Sequence, residues 1–199
     1  MRRWNGWGDE STSMELPQSA GEFLSTLVGA GHRLDDIGLA EVINTVPESR
    51  LPQHPLVSVD AEQRVRHAKG QSLPDWLAMH SGEINCFPDG VCFPENTQDV
   101  KDILSYAKAE NIVLIPYGGG TSVAGHINVE QSPRPVLTVN MGRMNQLLHL
   151  DEQSQIATFG AGTPGPMVEA QLLARGYTLG HFPQSFELST LGGWVASRS

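Results

Sequence analysis

The chain has 199 residues, of which 39% are hydrophobic and 18% are charged, which is enough apolar material for one folded domain with an appendage. Its 22 acidic and 13 basic residues give a net charge of −9, which argues against a nucleic-acid binder, because such proteins present a basic face. No apolar run approaches the ~18 residues of a transmembrane helix. Two cysteines are too few for a disulfide framework, and the histidines show no metal-ligand spacing, so we predict a reducing, cytoplasmic location and no metal.

The N-terminal region, residues 1–84, is predicted to be a small helical region. Residues 1–20 are polar, and the arginines near the start are not followed by the apolar stretch of an export signal. Over residues 20–44 apolar side chains recur at helical spacing but are interrupted by glycines, so we expect two short helices. Prolines divide residues 47–80 into short pieces, and Pro74 is expected to begin one further helix.

From residue 85 onward the pattern alternates between helices and strands. The strongest helix is predicted to begin after its cap, Asn96, and to end near Asn111 in a left-handed conformation. Strands are expected in the extended pieces around the Pro-Asp-Gly turn at 88–90 and at 112–115, 135–140, 147–150, 155–160 and 177–179, with a helix over 163–173. The pieces at 147–160 suggest a hairpin, so the pattern favours an α+β fold with mixed sheets over a doubly wound one.

A glycine loop follows the strand predicted at 112–115. Gly118, Gly119 and Gly120 are followed by Thr121 and Ser122. Glycines let the backbone approach a ligand closely, and their amides with the two hydroxyls form a nest suited to a pyrophosphate. A flexible turn is the alternative interpretation. A Walker-A loop is excluded, because His126 stands where that motif requires lysine.

A second glycine-rich turn, residues 160–165, matches the dinucleotide-binding pattern G-x-G-x-x-G. It follows a predicted strand and opens a helix, and Glu187 lies at roughly the distance of a ribose-binding acid. However, Pro164 and Pro166 remove amides from the turn that should donate to a pyrophosphate. We therefore interpret it as a structural turn; an NAD-binding Rossmann protein and a non-catalytic binding module are the alternatives.

The glycine loop and a later stretch together carry a family resemblance. Residues 116–122 read P-Y-G-G-G-T-S, and residues 189–198 read S-T-L-G-G-W-V-A-S-R. This pair resembles the FAD-binding domain of the vanillyl-alcohol-oxidase/PCMH flavoprotein superfamily. Within it, residues 1–9, M-R-R-W-N-G-W-G-D, together with 87–91 and 187–194, resemble bacterial proteins related to alkyldihydroxyacetonephosphate (alkylglycerone-phosphate) synthase.

The resemblance implies a two-lobed α+β PCMH-type FAD-binding domain over residues 85–199, preceded by the helical region 1–84. It also implies that this domain continues past residue 199 and that a later cap domain carries the catalytic residues, so no catalytic residue is assigned and residues 1–199 alone are expected to be inactive. The residues implied to bind FAD are Pro116, Tyr117, Gly118, Gly119, Gly120, Thr121, Ser122, Gln184, Ser185, Phe186, Glu187, Leu188, Ser189, Thr190, Ser197, Arg198 and Ser199. Thr121 stands where covalent members place a histidine, which implies non-covalent FAD.

The resemblance further implies an FAD-dependent enzyme with a small-molecule substrate. Synthase-like relatives exchange a fatty acyl ester for a fatty alcohol on dihydroxyacetone phosphate, a step of ether lipid biosynthesis without net redox change. The glycine loop also resembles that of FAD-dependent D-2-hydroxyacid (D-lactate-type) dehydrogenases, which take a hydride to the flavin. We thus expect an acyl or alkyl dihydroxyacetone phosphate as substrate, with a 2-hydroxy acid as the alternative. A homodimer is the expected assembly, and a membrane-peripheral location is the alternative to a purely cytoplasmic one.

Overall fold

The computed structural model describes residues 2–31 and 35–199. In chain order the elements are α1 (Gln18–Val28), α2 (Leu39–Ile43), β1 (Val57–Ser58), α3 (Ala61–Arg66), α4 (Leu73–Ser81), β2 (Gly90–Cys92), α5 (Thr97–Ala109), β3 (Val113–Tyr117), β4 (Val136–Asn140), a 3₁₀ turn (Met141–Arg143), β5 (Leu147–Asp151), β6 (Ile156–Phe159), α6 (Gly165–Leu173) and α7 (Leu191–Ser197). The helical prediction over 20–44 includes residues 32–34, which lie outside the described residues. None of the described helices is long and apolar enough to cross a membrane.

The main sheet has four strands in the order β1-β2-β4-β3. Strands β2, β4 and β3 run parallel, and β1 pairs antiparallel at one edge. Helix α5 begins at the predicted cap, since the Asn96 side chain accepts hydrogen bonds from two backbone amides over 2.8 and 3.0 Å. Its buried residues Ile103 and Ala107 pack with Leu137 of β4 in one core cluster. The pairing of β3 with β4, which ends at Tyr117 and Asn140, holds the C-terminal ends of these two strands side by side.

A separate antiparallel hairpin, β5-β6, follows the main sheet, as its sequence pattern predicted. Val168 and Leu172 of α6 form a core cluster with Trp194 of α7, and hairpin residues such as Phe159 pack against it. The combination of a mixed sheet, an antiparallel hairpin and helices confirms the predicted α+β class. Trp194 thereby joins the end of the described chain to the hairpin.

The N-terminal region has its own core cluster, formed by Val42, Val65, Ala68, Met79 and Ile84. Helix α4 begins at a capping box in which Ser72 accepts the Asp75 amide and Asp75 accepts the Ser72 amide, and Pro74 lies in its first turn as predicted. The two helices expected over 20–44 are α1 and α2, but α1 contains no buried residue. A domain boundary between residues 84 and 85 stays a prediction.

Three strand predictions differ from the structure. Of the extended pieces expected around the Pro-Asp-Gly turn at 88–90, only the one after the turn forms a strand, β2. Strand β3 continues through the exposed Pro116 to Tyr117, because it lies at the edge of the sheet, where a residue without an N–H is tolerated. No strand forms at 177–179. The Glu169 carboxylate instead accepts hydrogen bonds from the Thr178 hydroxyl over 2.6 Å and from the Gly180 amide over 3.0 Å, which leaves this segment unpaired with any described strand.

The sequence analysis also missed three elements: β1, α3 and α7. Helix α3 has a local signal that the sequence analysis did not use. This signal is its cap, Asp60, which accepts a hydrogen bond from the Gln63 amide over 2.9 Å. Helix α7 has no such signal, since two of its seven residues are glycines and no side chain caps it. It depends on Trp194, which is 6% exposed, for its packing.

Candidate functional site

The glycine loop, residues 118–122, begins where β3 ends. Tyr117 pairs with Asn140, so the loop leaves the sheet at the edge where the C-terminal ends of parallel strands meet. This is the edge at which open parallel sheets bind ligands. The amides of residues 119–122 donate no hydrogen bond to any described residue. Consecutive backbone donors are therefore available to an anion.

The carbonyl groups of the glycine loop are held by the N-terminal region. The Arg2 guanidinium donates to the Gly119 carbonyl, and the Gln71 amide donates to the Ser122 carbonyl over 2.7 Å. The Gly119 carbonyl and the Gly120 N–H belong to the same trans peptide group and point in opposite directions. Because the carbonyl faces Arg2, the Gly120 N–H points away from Arg2. Gly120 has a φ of 67°, which favours glycine. The loop is thus fixed through its acceptors while its donors stay available.

The segment 188–190 lies directly against the glycine loop. A Cβ at Gly119 would overlap the Leu188 carbonyl, and a Cβ at Gly118 would overlap the Thr190 side chain. Thr190 is 4% exposed, and its hydroxyl has no hydrogen-bond partner among the described residues. A buried hydroxyl without a partner costs roughly 1–3 kcal/mol. A ligand oxygen beside the loop would supply the missing partner.

The predicted site residues before this segment form a turn. Ser185 has a φ of 63°, and its carbonyl accepts the Ser189 amide over 2.8 Å. Phe186 packs against Gly165, where a Cβ would overlap its ring, and stacks on Trp194 with ring centroids 6.3 Å apart. Gln184 and Glu187 are exposed. This turn places residues 188–190 against the glycine loop.

The predicted site residues 197–199 lie elsewhere. All three are exposed at the end of α7, where the Ser197 hydroxyl donates to the Gly193 carbonyl over 2.8 Å. Arg198 and Ser199 border a groove with His181 and Trp194. No hydrogen bond given by the described residues joins 197–199 to residues 118–122. The structure therefore brings 116–122 and 188–190 together but does not add 197–199 to them.

A cavity of about 180 Å³ adjoins the glycine loop and was not foreseen from the sequence. Its lining residues are Arg2, Arg3, Trp4, Val65, Arg66, His67, Lys69, Gln71, Met79, Tyr117, Gly118 and Asn140. Several of these are cationic, and they come from parts of the chain that no local motif connects. Pairs such as Arg2-Arg3 and the isolated Lys69 carry no pattern that predicts a shared site.

His67 forms the polar wall of this cavity. Its Nδ1 donates to the Gln63 carbonyl over 2.7 Å, so its Nε2 accepts from the Asn140 amide group at 2.8 Å. Burial, together with the nearby charges of Arg2 and Arg66, lowers the pKa of His67 to about 4, so the ring is neutral. Burial also raises the pKa of Tyr117, which keeps its hydroxyl protonated. Among the described residues, no group of His, Cys, Asp or Glu side chains could hold a metal ion.

In the second glycine-rich turn, residues 160–165, all three glycine amides donate hydrogen bonds within the protein. The Gly160 amide donates to the Gln146 carbonyl over 2.9 Å, and the Gly162 amide donates to the Met144 carbonyl over 3.0 Å. The Gly165 amide donates to the carbonyl of residue 189 over 3.3 Å. The strand before the turn is paired antiparallel in a hairpin, not in a parallel βαβ unit. Both observations agree with the interpretation of residues 160–165 as a structural turn, and the strand pairing differs from that of a nicotinamide-binding βαβ unit.

Comparisons with known proteins agree with this geometry. The sequence profile of the FAD binding domain matches residues 88–199. The chain is 38% identical over 144 residues to the alkyldihydroxyacetonephosphate synthase of Trypanosoma brucei brucei, covering 71% of this chain and 24% of that protein. It is 30% identical over 233 residues to the synthase of Dictyostelium discoideum, covering 99% of this chain and 38% of that protein.

A solved structure of an alkyldihydroxyacetonephosphate synthase superposes on the chain with a TM-score of 0.80 at 28% identity, covering 97% of this chain and 42% of that one. The chain therefore spans about a quarter to two fifths of the relatives that it matches. The profile match extends over more than half of the chain and includes both the glycine loop and the segment packed against it. The chain belongs to the FAD binding domain family, and its cofactor is FAD.

Proposed function

We propose that residues 116–122 and 188–190 hold the diphosphate of FAD. The observation that carries this proposal is the set of backbone amides at residues 119–122 that donate to no described residue, beside the buried and unpaired hydroxyl of Thr190. A diphosphate is rich in acceptor oxygens and has no donors of its own, so it matches a loop with several unused backbone donors and a hydroxyl beside it. Residues 184–187 and 197–199 stay predictions as FAD contacts.

The FAD is proposed to be bound without a covalent link. Thr121 follows the glycines directly, and it has no nitrogen that could bond to a flavin carbon. His126 is exposed, and its backbone amide donates to the Ser122 hydroxyl over 3.1 Å, which fixes its place at the exit of the loop. Bound FAD supplies reversible two-electron chemistry; the residues of this chain bind and orient it.

We infer that the enzyme is of the alkylglycerone-phosphate synthase type and acts on acyl and alkyl forms of dihydroxyacetone phosphate. The support is the similarity to the Trypanosoma and Dictyostelium synthases; the match to the Dictyostelium synthase covers 99% of this chain and so includes the N-terminal region as well as the FAD domain. The catalytic groups are proposed to belong to a further domain of the protein. A homodimer and a cytoplasmic or membrane-peripheral location stay predictions.

The test of this proposal uses the visible absorption spectrum of the purified protein and a Gly119→Val variant. We expect flavin bands that move to the supernatant on acid precipitation, and an affinity for FAD reduced by about 100-fold or more in the variant, since the added side chain collides with the Leu188 carbonyl and closes the approach to the loop amides. Gly21→Ala is the matched control, because a Cβ at Gly21 meets nothing within 4 Å.

Two outcomes would contradict the proposal. One is a protein that stays colourless after incubation with FAD, and the other is a folded Gly119→Val variant that retains FAD like the Gly21→Ala control. Thermal unfolding of each variant shows whether a loss of FAD is a loss of the fold. Adding D-lactate without oxygen addresses the alternative substrate, because only a D-2-hydroxyacid dehydrogenase would bleach the flavin bands.

A further inference from the structure

The cavity beside the glycine loop has an unbalanced charge. Four of its lining residues carry a fixed positive charge, namely Arg2, Arg3, Arg66 and Lys69. Among the described residues, no Asp or Glu lines it. The lining also includes Tyr117, Gly118 and Asn140, so the cavity opens at the same ligand-binding edge of the sheet as the loop amides.

The arginines of the cavity have partners within the protein. Arg66 forms an ion pair with Glu62 at 2.8 Å and approaches Glu10 at 3.7 Å. The Arg3 guanidinium donates to the Thr12 carbonyl over 2.6 Å. The Arg2 guanidinium donates to the Gly119 carbonyl. A backbone carbonyl can accept a hydrogen bond from a guanidinium group, but it carries no full negative charge that would neutralise the arginine. Arg2 and Arg3 therefore still contribute a positive potential to the cavity.

Lys69 is different from the arginines. It is partly buried in the cavity wall, and no hydrogen bond or ion pair joins its ammonium group to any described residue. A lysine that lines a cavity with other cations and has no anionic partner favours the binding of an anion. The neighbouring His67 adds no positive charge, because its Nδ1 donates a hydrogen bond and its Nε2 accepts one, which is the pattern of the neutral ring.

We propose that this cavity binds a phosphate group, with Lys69 and Arg3 as its cationic contacts. The observation that supports this proposal is the lining itself, in which four cationic side chains meet with no described Asp or Glu and one of them, Lys69, has no partner among the described residues. The inference rests on the proposed function for the origin of the phosphate, which is either the diphosphate of FAD or the phosphate of a phosphorylated substrate. The chemistry of recognition is the same for both.

The test compares Lys69→Ala with the matched control Lys101→Ala, which removes an exposed lysine from helix α5. The apoprotein is titrated with FAD and with riboflavin, which has no phosphate, and thermal unfolding is followed against inorganic phosphate. If the phosphate is that of FAD, Lys69→Ala weakens FAD binding by about tenfold and leaves riboflavin binding unchanged. If it is that of a substrate, FAD binding is unchanged and the stabilisation by inorganic phosphate is lost.

The proposal is overturned if Lys69→Ala binds both FAD and inorganic phosphate as tightly as Lys101→Ala does. Arg3→Ala provides a second variant of a cationic lining residue, with the same expected effects, should Lys69→Ala fail to fold. Failure of the proposed function has a different signature. If the protein binds no FAD but is stabilised by inorganic phosphate in a way that depends on Lys69, the phosphate site in the cavity is supported and the proposed FAD function is rejected.

Discussion

The two glycine-rich turns of this protein look alike in sequence and differ in what their backbones do. Both follow a strand, both contain three glycines and both include a threonine. In residues 118–122 the carbonyls of Gly119 and Ser122 accept hydrogen bonds and the amides of 119–122 donate none to described residues, whereas in residues 160–165 the glycine amides donate to nearby carbonyls. The comparison indicates what separates the two turns: the first keeps backbone donors that a ligand could use, and the second uses its glycine amides within the protein.

Glycine has a different task in each turn. In the first turn it lets residues 188–190 approach a loop whose amides remain exposed to a ligand. In the second turn it lets two backbones pack together, because a Cβ at Gly160 would overlap the Met144 carbonyl and a Cβ at Gly162 would overlap the Met141 carbonyl. Changes in the first turn should therefore affect FAD binding, and changes in the second should affect stability.

The largest effect on stability is expected for Gly162→Ala. The added methyl group meets a backbone carbonyl that cannot rotate away, so the free energy of unfolding should fall by ~3 kcal/mol or more. Denaturant unfolding measures this change. The variant that folds should bind FAD with unchanged affinity. A Gly162→Ala protein of normal stability that lost NAD binding would show that the turn is a cofactor site after all.

The cavity wall beside the first turn should make stability depend on pH. His67 has an ordinary pKa of 6.5 when unfolded and about 4 when folded, because it is buried and faces Arg2 and Arg66. Between these values the unfolded chain binds a proton that the folded chain does not. The free energy of unfolding should therefore decrease by about 2–3 kcal/mol as the pH falls from 6.5 to 4.

The contribution of His67 is isolated by comparing the unmodified protein with His67→Gln over this pH range. The pH dependence should be weaker in the variant, and equal slopes in the two proteins would reject the assignment. Asp89 does not interfere. Burial favours its neutral form, but hydrogen bonds from Arg50 and from the Val136 amide lower its pKa below 3.8, so its contribution is lost only at more acidic pH.

The sequence predicted those helices and strands that are stabilised by residues close together in the chain, such as helix caps and hairpin turns. Helix α5 was predicted from its cap, Asn96, and the hairpin β5-β6 from two strand patterns around a polar turn. The glycine loop was predicted as a pyrophosphate site from its position after a strand. The contact between 118–122 and 188–190 follows from the family resemblance, not from any periodicity, because it joins segments far apart in the chain.

The parts that were missed depend on distant contacts. Helix α3 has few apolar residues. Its buried Arg64 instead joins it to distant segments, by donating to the Pro88 carbonyl over 2.6 Å and to the Pro47 carbonyl over 2.7 Å. Helix α7 forms around Trp194 in spite of its glycines. The cationic cavity joins the first residues of the chain, the end of α3 and the ends of two strands, so only the tertiary fold could reveal it.

The smallest and most direct test of the comparison is a matched pair of threonine substitutions. The Thr163 hydroxyl is fully buried and donates to the Gly160 carbonyl over 2.7 Å, so Thr163→Val should lower the free energy of unfolding by about 1 kcal/mol and leave FAD binding unchanged. The Thr121 hydroxyl has no hydrogen-bond partner among the described residues and lies in the glycine loop. Thr121→Val should therefore leave the stability of the apoprotein unchanged and weaken FAD binding by a few-fold.

Unfolding of the apoprotein and titration with FAD, carried out on both threonine variants, measure the two effects independently. If Thr163→Val weakened FAD binding and Thr121→Val lowered apoprotein stability, the roles assigned to the two turns would be reversed. The pair is informative because the same atoms are exchanged at both sites, a hydroxyl for a methyl group. Any difference between the variants then comes from what each hydroxyl contacts, and only the hydroxyl in the loop with unused amides has its partner outside the chain.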